Sequence, residues 1–427
     1  MRIVRGGILT CFLLALGLLP RGDLALAQAV PAVGTVITET NVSSVTDLVS
    51  PVVQWCVQHG MQLTVGPYKK IEMPKAFVEA TEKHAGQVKL TAQGTVEGYV
   101  AGLPFPKIDP NDPNAGLKLA WNFNYKPYKT DDYLWRNFSA ATGPVRSDGP
   151  MGIERDYTAR HNARLYYTGR LYVDPKPLLP NREGFRYKEI TGPFLEPLDL
   201  KGISNLNYRY MDADKQDDTW LYLPSLRRVR RLSTAQRSDA IFGQDTDVDS
   251  YDSYSGNPVW FTWRFLGEKQ MLLPMHVQHS PSKWCPGKGD FAFCDVWEPR
   301  QVWIIEGKSK LQQYAFSKRV IFIDKETYWA SYSDMYDQSG ELWKGWIMTL
   351  RFAQRASDHP GVTLYPDEQA FNPSLMMVDI QLQHATKSWT PTQASQTGEE
   401  EMFNVGPDKS GIPEDFYTVA HLIEAGR

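Results

Sequence analysis

The chain has 427 residues, 42% of them hydrophobic and 22% charged, a balance that excludes a disordered polymer and a multispan membrane protein. A formal charge of −3 gives it no general attraction for nucleic acid. Aromatic residues reach 12%. Such side chains favour strands and line cavities for apolar or sugar ligands, so a β-rich binding protein is the first expectation.

At the N-terminus, Arg2 and Arg5 precede an apolar stretch from Gly7 to Leu19, and Ala25-Leu26-Ala27 supplies small residues for cleavage. Residues 1–27 therefore read as a signal peptide, and the mature chain starts at Gln28. The apolar run is shorter than the roughly 20 residues that cross a bilayer, so an exported, soluble periplasmic protein is expected. Ser50-Pro51 then supplies an N-cap and a proline at the first helical position, opening a helix that runs through Trp55 and Val57 and stops at Gly60. Pro74 opens a second helix carrying Phe77, Val78 and Ala80 and ending at Gly86. From Gln87 to Val100 the pattern is β-like but broken by glycines, and Leu103-Pro104-Phe105-Pro106 begins a proline-rich loop.

The rest reads as a succession of hairpins. Thr219–Leu223 is one strand, Pro224-Ser225 the turn and Arg228–Leu232 the return. Further strands are expected at Val259–Phe265, Gln301–Glu306, Arg319–Asp324, Tyr328–Tyr332, Leu342–Leu350 and Met376–His384. Sequential antiparallel pairing needs no long crossover, which points to a mainly β (α+β) fold built on one large antiparallel sheet with a few covering helices. Phe261, Trp263 and Phe265 share one strand face; Trp220 and Tyr222 lie opposite Leu221 and Leu223. A sheet apolar on both faces is not half in water. It is either a packed sandwich or a sheet curled round an apolar space. Ser388–Asp408, with Glu399-Glu400-Glu401, reads as a mobile surface loop before a terminal helix around Asp415–Glu424. No linker divides residues 28–427, which are taken as a single elaborated domain.

Three cysteines remain in the mature chain. Cys285 and Cys294 flank a loop containing Pro286, Gly287 and Gly289 that suits a disulfide in an oxidising compartment; zinc bound with His276 and His279, or free thiols, are the alternatives. Cys56 reads as a buried small hydrophobe. In Arg227-Arg228-Val229-Arg230-Arg231, alternation puts Arg228 and Arg230 on one face, and Asp239, Asp245, Asp247, Asp249 and Asp252 follow. The arginines either brace the fold against these carboxylates or form a rim for an anionic head group. Asp245-Thr246-Asp247-Val248-Asp249 begins like an EF-hand, but Ser250 replaces the required glycine and Gly256 the final glutamate. No G-x-S-x-G elbow, P-loop or H-E-x-x-H motif is present, and neither metal nor cofactor is expected.

Several segments resemble a family of exported proteobacterial proteins, a domain of unknown function labelled outer-membrane lipoprotein-sorting-like. They are Gly102-Leu103-Pro104-Phe105-Pro106 with Asp109-Pro110, Ala120-Trp121-Asn122, Trp220-Leu221-Tyr222-Leu223-Pro224 running into the arginines 227–231, Ile241-Phe242-Gly243 and Ile323-Asp324-Lys325. The resemblance spans most of the mature chain. That family is similar to an enlarged LolA/LolB half-barrel, in which a curved antiparallel sheet wraps an apolar cavity closed by helices and holds acyl chains. The resemblance implies lipid transport across the periplasm, with an RND-type inner-membrane exporter and an outer-membrane protein as partners.

The leading expectation is thus a carrier for lipid-like or other hydrophobic cargo, each sheltered methylene contributing about 0.8 kcal/mol. Phe261, Trp263, Phe265, Trp220 and Tyr222 are the expected lining, and Arg228 and Arg230 the expected head-group contacts. The competing readings are a periplasmic hydrolase acting on a glycan or lipid with carboxylates of the 239–252 region, and a structural adaptor between envelope complexes.

Overall fold

A sheet of alternating residues must cover both faces, and here one continuous 17-stranded sheet organises the chain. The structure, a computed structural model, describes residues 29–233, 236–357, 362–389 and 400–426. The expected signal peptide lies outside the described residues. Two antiparallel meanders build the sheet. The first comprises β1 (Asp132–Pro144), β2 (Arg155–Tyr166), β3 (Phe185–Thr191), β4 (Ser204–Tyr210), β5 (Asp218–Leu223) and β6 (Arg228–Arg231), each paired with the next. The second comprises β7 (Phe261–Leu273), β8 (Asp295–Ser309), β9 (Lys318–Asp324), β10 (Tyr332–Tyr336), β11 (Leu342–Met348), β12 (Ser374–Asp379) and β13 (His384–Trp389). Pairing of β13 with β1 fuses them. The sheet is open, with β6 and β7 as its ends, and it is the curved, mainly antiparallel architecture expected. A parallel pairing of β8 with Leu63–Val65 departs from the antiparallel rule.

Both N-terminal helices form. Helix α1 (Pro51–Gln58) is capped by Ser50, whose hydroxyl accepts from the Val53 N–H and donates to Asp334 on β10 at 2.8 Å. Its Val52, Val53, Cys56 and Val57 are buried in the main core beside Trp346 and Ile347 of β11. Helix α2 (Lys75–His84) buries Phe77 and Ala80, α3 (Ala115–Asn124) packs along β7, and α4 (Gly406–Ser410) and α5 (Val419–Ala425) close the chain. Among the described residues, no helix is long and apolar enough to cross a membrane.

The structure revises three expected elements. Tyr328 is not in a strand: the Asp324 carboxylate accepts from the N–H groups of Glu326 and Thr327 and from the Thr327 hydroxyl, and the loop so closed puts Tyr328 at φ +56°, so β10 begins at Tyr332. Met376–His384 is two strands, not one, because Asp379 accepts from the Leu382 N–H and Gln383 turns at φ +51°. Ser388–Asp408 is not all surface loop. Ser388 and Trp389 end β13, and Glu401–Phe403 is a buried strand against β1. Glu401 tolerates burial because it accepts from Trp135 Nε1 at 2.9 Å and from the Asn372 N–H.

Candidate functional site

Period-two alternation decides what the first meander offers on each side. Leu134, Ala163, Ile190, Leu206 and Trp220 stand opposite one another across successive strands and form one row. That row, with Tyr222, packs under Leu422 of α5 and under Tyr417, which precedes that helix. The other face carries two rows in register: Tyr133, Arg164, Glu189, Asn207 and Thr219, then Trp135, Asn162, Thr191, Asn205 and Leu221. These rows floor a cavity of about 380 Å³, within the usual size of small-molecule sites. The segment 236–255 roofs it with Ile241, Phe242, Val248 and Tyr251, and Phe138 and Phe194 add apolar wall.

The floor is polar and its groups largely bond to one another, while Asn162 Oδ1 and Arg164 Nε have no hydrogen-bond partner among the described residues. Arg164 donates to Glu189 at 2.9 Å, Tyr133 OH donates to the same carboxylate at 2.9 Å, Asn162 donates to Thr191 at 2.7 Å and Thr219 donates to Asn207 at 2.8 Å. Arg164 also stacks over Tyr187 at 4.2 Å. The cavity thus presents aromatic and aliphatic wall with fixed hydrogen-bonding groups, a surface suited to a molecule with an apolar body and few polar atoms.

The roof is tied down by a buried Arg–Asp lattice. Arg209 of β4 grips Asp217 with two bonds of 2.6 and 2.7 Å, Arg237 reaches Asp217 at 3.0 Å and Asp249 at 2.8 Å, and Tyr314 OH donates to Asp249. Burial pushes the Asp217 carboxyl up, but Arg209 and Arg237 outweigh it and hold it below its usual range. Asp245 is held by His384 at 2.8 Å and by Thr386. Asp247 accepts from Ser250, and burial raises its carboxyl to about 6. Asp245, Asp247 and Asp249 are thus hydrogen-bonded within the protein and are not part of the cavity lining. Asp239 and Asp252 do line the cavity.

The five aromatics singled out from sequence do not line this cavity. Phe261 and Trp263 lie in the main core against Tyr254 and Tyr314, with ring centroids 4.9–5.3 Å apart, and Phe265 packs on the same core. Trp220 and Tyr222 sit on the α5 side of β5, while their neighbours Thr219 and Leu221 face the cavity. Arg228 and Arg230 do share a face, but β6 is a sheet edge and both are exposed. Of the carboxylates expected to brace them, Asp249 pairs instead with Arg237, Asp245 with His384 and Asp252 with Lys126. Cys285 and Cys294 form a disulfide with Cα atoms 4.9 Å apart, and Cys56 is free and buried. The floor residues of β1–β4 escaped sequence reading altogether. The available signal was alternation in Asn205-Leu206-Asn207-Tyr208-Arg209, in which the polar set, not the apolar set, faces the cavity.

The model of DUF1329, a protein family of unknown function, matches residues 36–422. An uncharacterized protein of Pseudomonas aeruginosa is 26% identical over 295 residues, 65% of this chain and 59% of that relative, so the match takes in less than two thirds of the relative's length. Among solved structures, an outer membrane lipoprotein-sorting protein domain from Vibrio parahaemolyticus aligns with 18% identity and a TM-score of 0.48, covering 73% of this chain and 100% of that one. A DUF1329 family protein from Desulfovibrio piger aligns with 15% identity and a TM-score of 0.46 over 74% and 99%. A LolA superfamily protein from Nitrosomonas europaea aligns with 12% identity and a TM-score of 0.39 over 72% and 98%.

Proposed function

The chain belongs to the DUF1329 family, and from that premise we propose that it is a periplasmic carrier that shelters a lipid-like or otherwise hydrophobic molecule. The observation that supports this reading is the cavity between the floor of β1–β5 and the 236–255 roof, with Trp135, Phe138, Phe194, Leu221 and Phe242 in its wall. Withdrawing an acyl chain from water contributes about 0.8 kcal/mol per methylene, so a preformed apolar wall supplies affinity without chemistry.

Lipid extraction and native mass spectrometry of the purified protein, with titration of a fluorescent fatty acid, test the reading. A copurifying amphiphile or saturable uptake of the probe is expected. Leu221→Trp, which fills the space from β5, should weaken uptake at least about tenfold while the melting temperature barely moves. Absence of both amphiphile and probe binding would sink the proposal, as would unimpaired uptake by the Leu221→Trp variant.

A further inference from the structure

A second, smaller cavity adjoins the first and shares Tyr133 and Asp252 with it. At about 40 Å³ it has room for roughly three waters or one carboxylate group. Lys126, Lys129 and Arg186 line it against a single carboxylate, Asp252. Arg186 is engaged by Asn124, to whose carbonyl it donates at 2.6 Å, and stacks over Tyr125. The two lysines are not so engaged.

Lys129 is 7% exposed, and among the described residues its ammonium makes no hydrogen bond. Its nearest carboxylate atom is Glu401 Oε1 at 4.0 Å, which already accepts from Trp135 Nε1 and from the Asn372 N–H. The rings of Phe403, Trp135 and Trp329 surround it at 4.7, 4.8 and 5.0 Å. Lys126 has Asp252 at 3.8 Å and the rings of Phe123 and Trp329 at 4.5 and 4.6 Å. A buried ammonium carries three donors and strongly favours an acceptor. Burial pushes both lysines down, Lys126 to about 8, and pushes Glu401 up to about 7. Tyr128 and Lys129 both hold left-handed backbone, φ +73° and +47°, a strain found at ligand clamps.

We propose that Lys126 and Lys129 together bind the carboxylate head of the carried molecule, whose apolar part passes the Tyr133 and Asp252 walls into the larger cavity. This inference rests on the carrier reading. It assigns the cargo to the anionic amphiphiles, since a carboxylate supplies the acceptors that the two ammonium groups lack and offsets the cationic surplus of the small cavity.

Titration calorimetry at pH 7 with dodecanoate, dodecanol and dodecyl phosphate, on the full chain and on Lys126→Met/Lys129→Met, tests it. The wild type should bind dodecanoate at least about tenfold more tightly than dodecanol, and the double variant should bind both alike with its dodecanol affinity unchanged. Equal affinity for acid and alcohol in the wild type overturns the inference and leaves the carrier reading standing. Equal loss of both ligands in the variant, or a preference for dodecyl phosphate over the acid, also overturns it. Binding of none of the three overturns both readings. If the double variant does not fold, the wild-type comparison of acid with alcohol decides alone.

Discussion

Arg228 and Arg237 lie nine residues apart in sequence, yet the structure gives them opposite meanings. Arg228 is exposed on an edge strand, whereas Arg237 is buried between Asp217 and Asp249. Replacing Arg237 with Gln strips the cation from Asp249 and should cost about 3–5 kcal/mol; Arg228→Gln should stay within about 0.5 kcal/mol. Urea unfolding of the two variants checks this contrast, and equal losses would contradict it. Alternation read from sequence put Arg228 and Arg230 on a common face. It had no means of showing that this face is water, because edge position depends on pairing partners distant in the chain. Asp334 offers a second residue-scale outcome. Burial raises its carboxyl to about 7 while Ser50 and the Val52 N–H oppose the rise, and among the described residues its Oδ2 has no hydrogen-bond partner. A carboxyl raised in the folded state contributes stability that is complete below its unfolded value near 3.8 and fades as the pH rises through about 7. Asp334→Asn should therefore melt like the wild type near pH 4 and with a flatter pH profile toward pH 8, by a few kcal/mol at most. Parallel pH–melting curves for the two proteins would refute this.

Among elements, those specified locally were the legible ones. Helix α1 was marked by Ser50 and Pro51, and the cap is present. The hairpin of β5 and β6 was marked by its turn, and the register pairs Trp220 with Arg231 and Leu223 with Arg228. Strands β1 to β4 were missed because their cavity side is polar or aromatic, so the hydrophobic alternation that signals a half-buried strand is blurred in Asn162-Ala163-Arg164 and Lys188-Glu189-Ile190. Glu401 misled for the same reason: its charge argued for a loop, and only Trp135 and Asn372, far away in sequence, satisfy it in the core. Two element-scale outcomes follow from packing. Leu422→Ala, which undocks α5 from the Ile190 and Leu206 row, should cost about 2–5 kcal/mol. Replacing Cys285 and Cys294 together with serine opens a short covalent loop and should cost about 2–3 kcal/mol. Denaturant unfolding measures both, and a loss below about 1 kcal/mol for Leu422→Ala would mean that α5 does not close that core.

At the scale of the molecule, the sheet divides its labour. The second meander carries the main core around Trp297, Trp329 and Trp346, while the first carries the cavity. Cargo should therefore slow amide hydrogen exchange in β1–β5 and in 236–255 and leave β9–β11 unchanged, because a ligand stabilises the units it contacts. Uniform protection across both meanders would contradict this division. Composition and local patterning were enough to establish a β-rich chain with short capped helices and sequential hairpins, because those features depend on neighbours a few residues apart. Which face of each strand meets the cavity, which arginine is paired and which edge is free were decided by the tertiary structure. A one-residue choice of face inverts every side chain on a strand, and that choice is fixed by contacts between segments such as Asp217 with Arg237 and Tyr222 with α5.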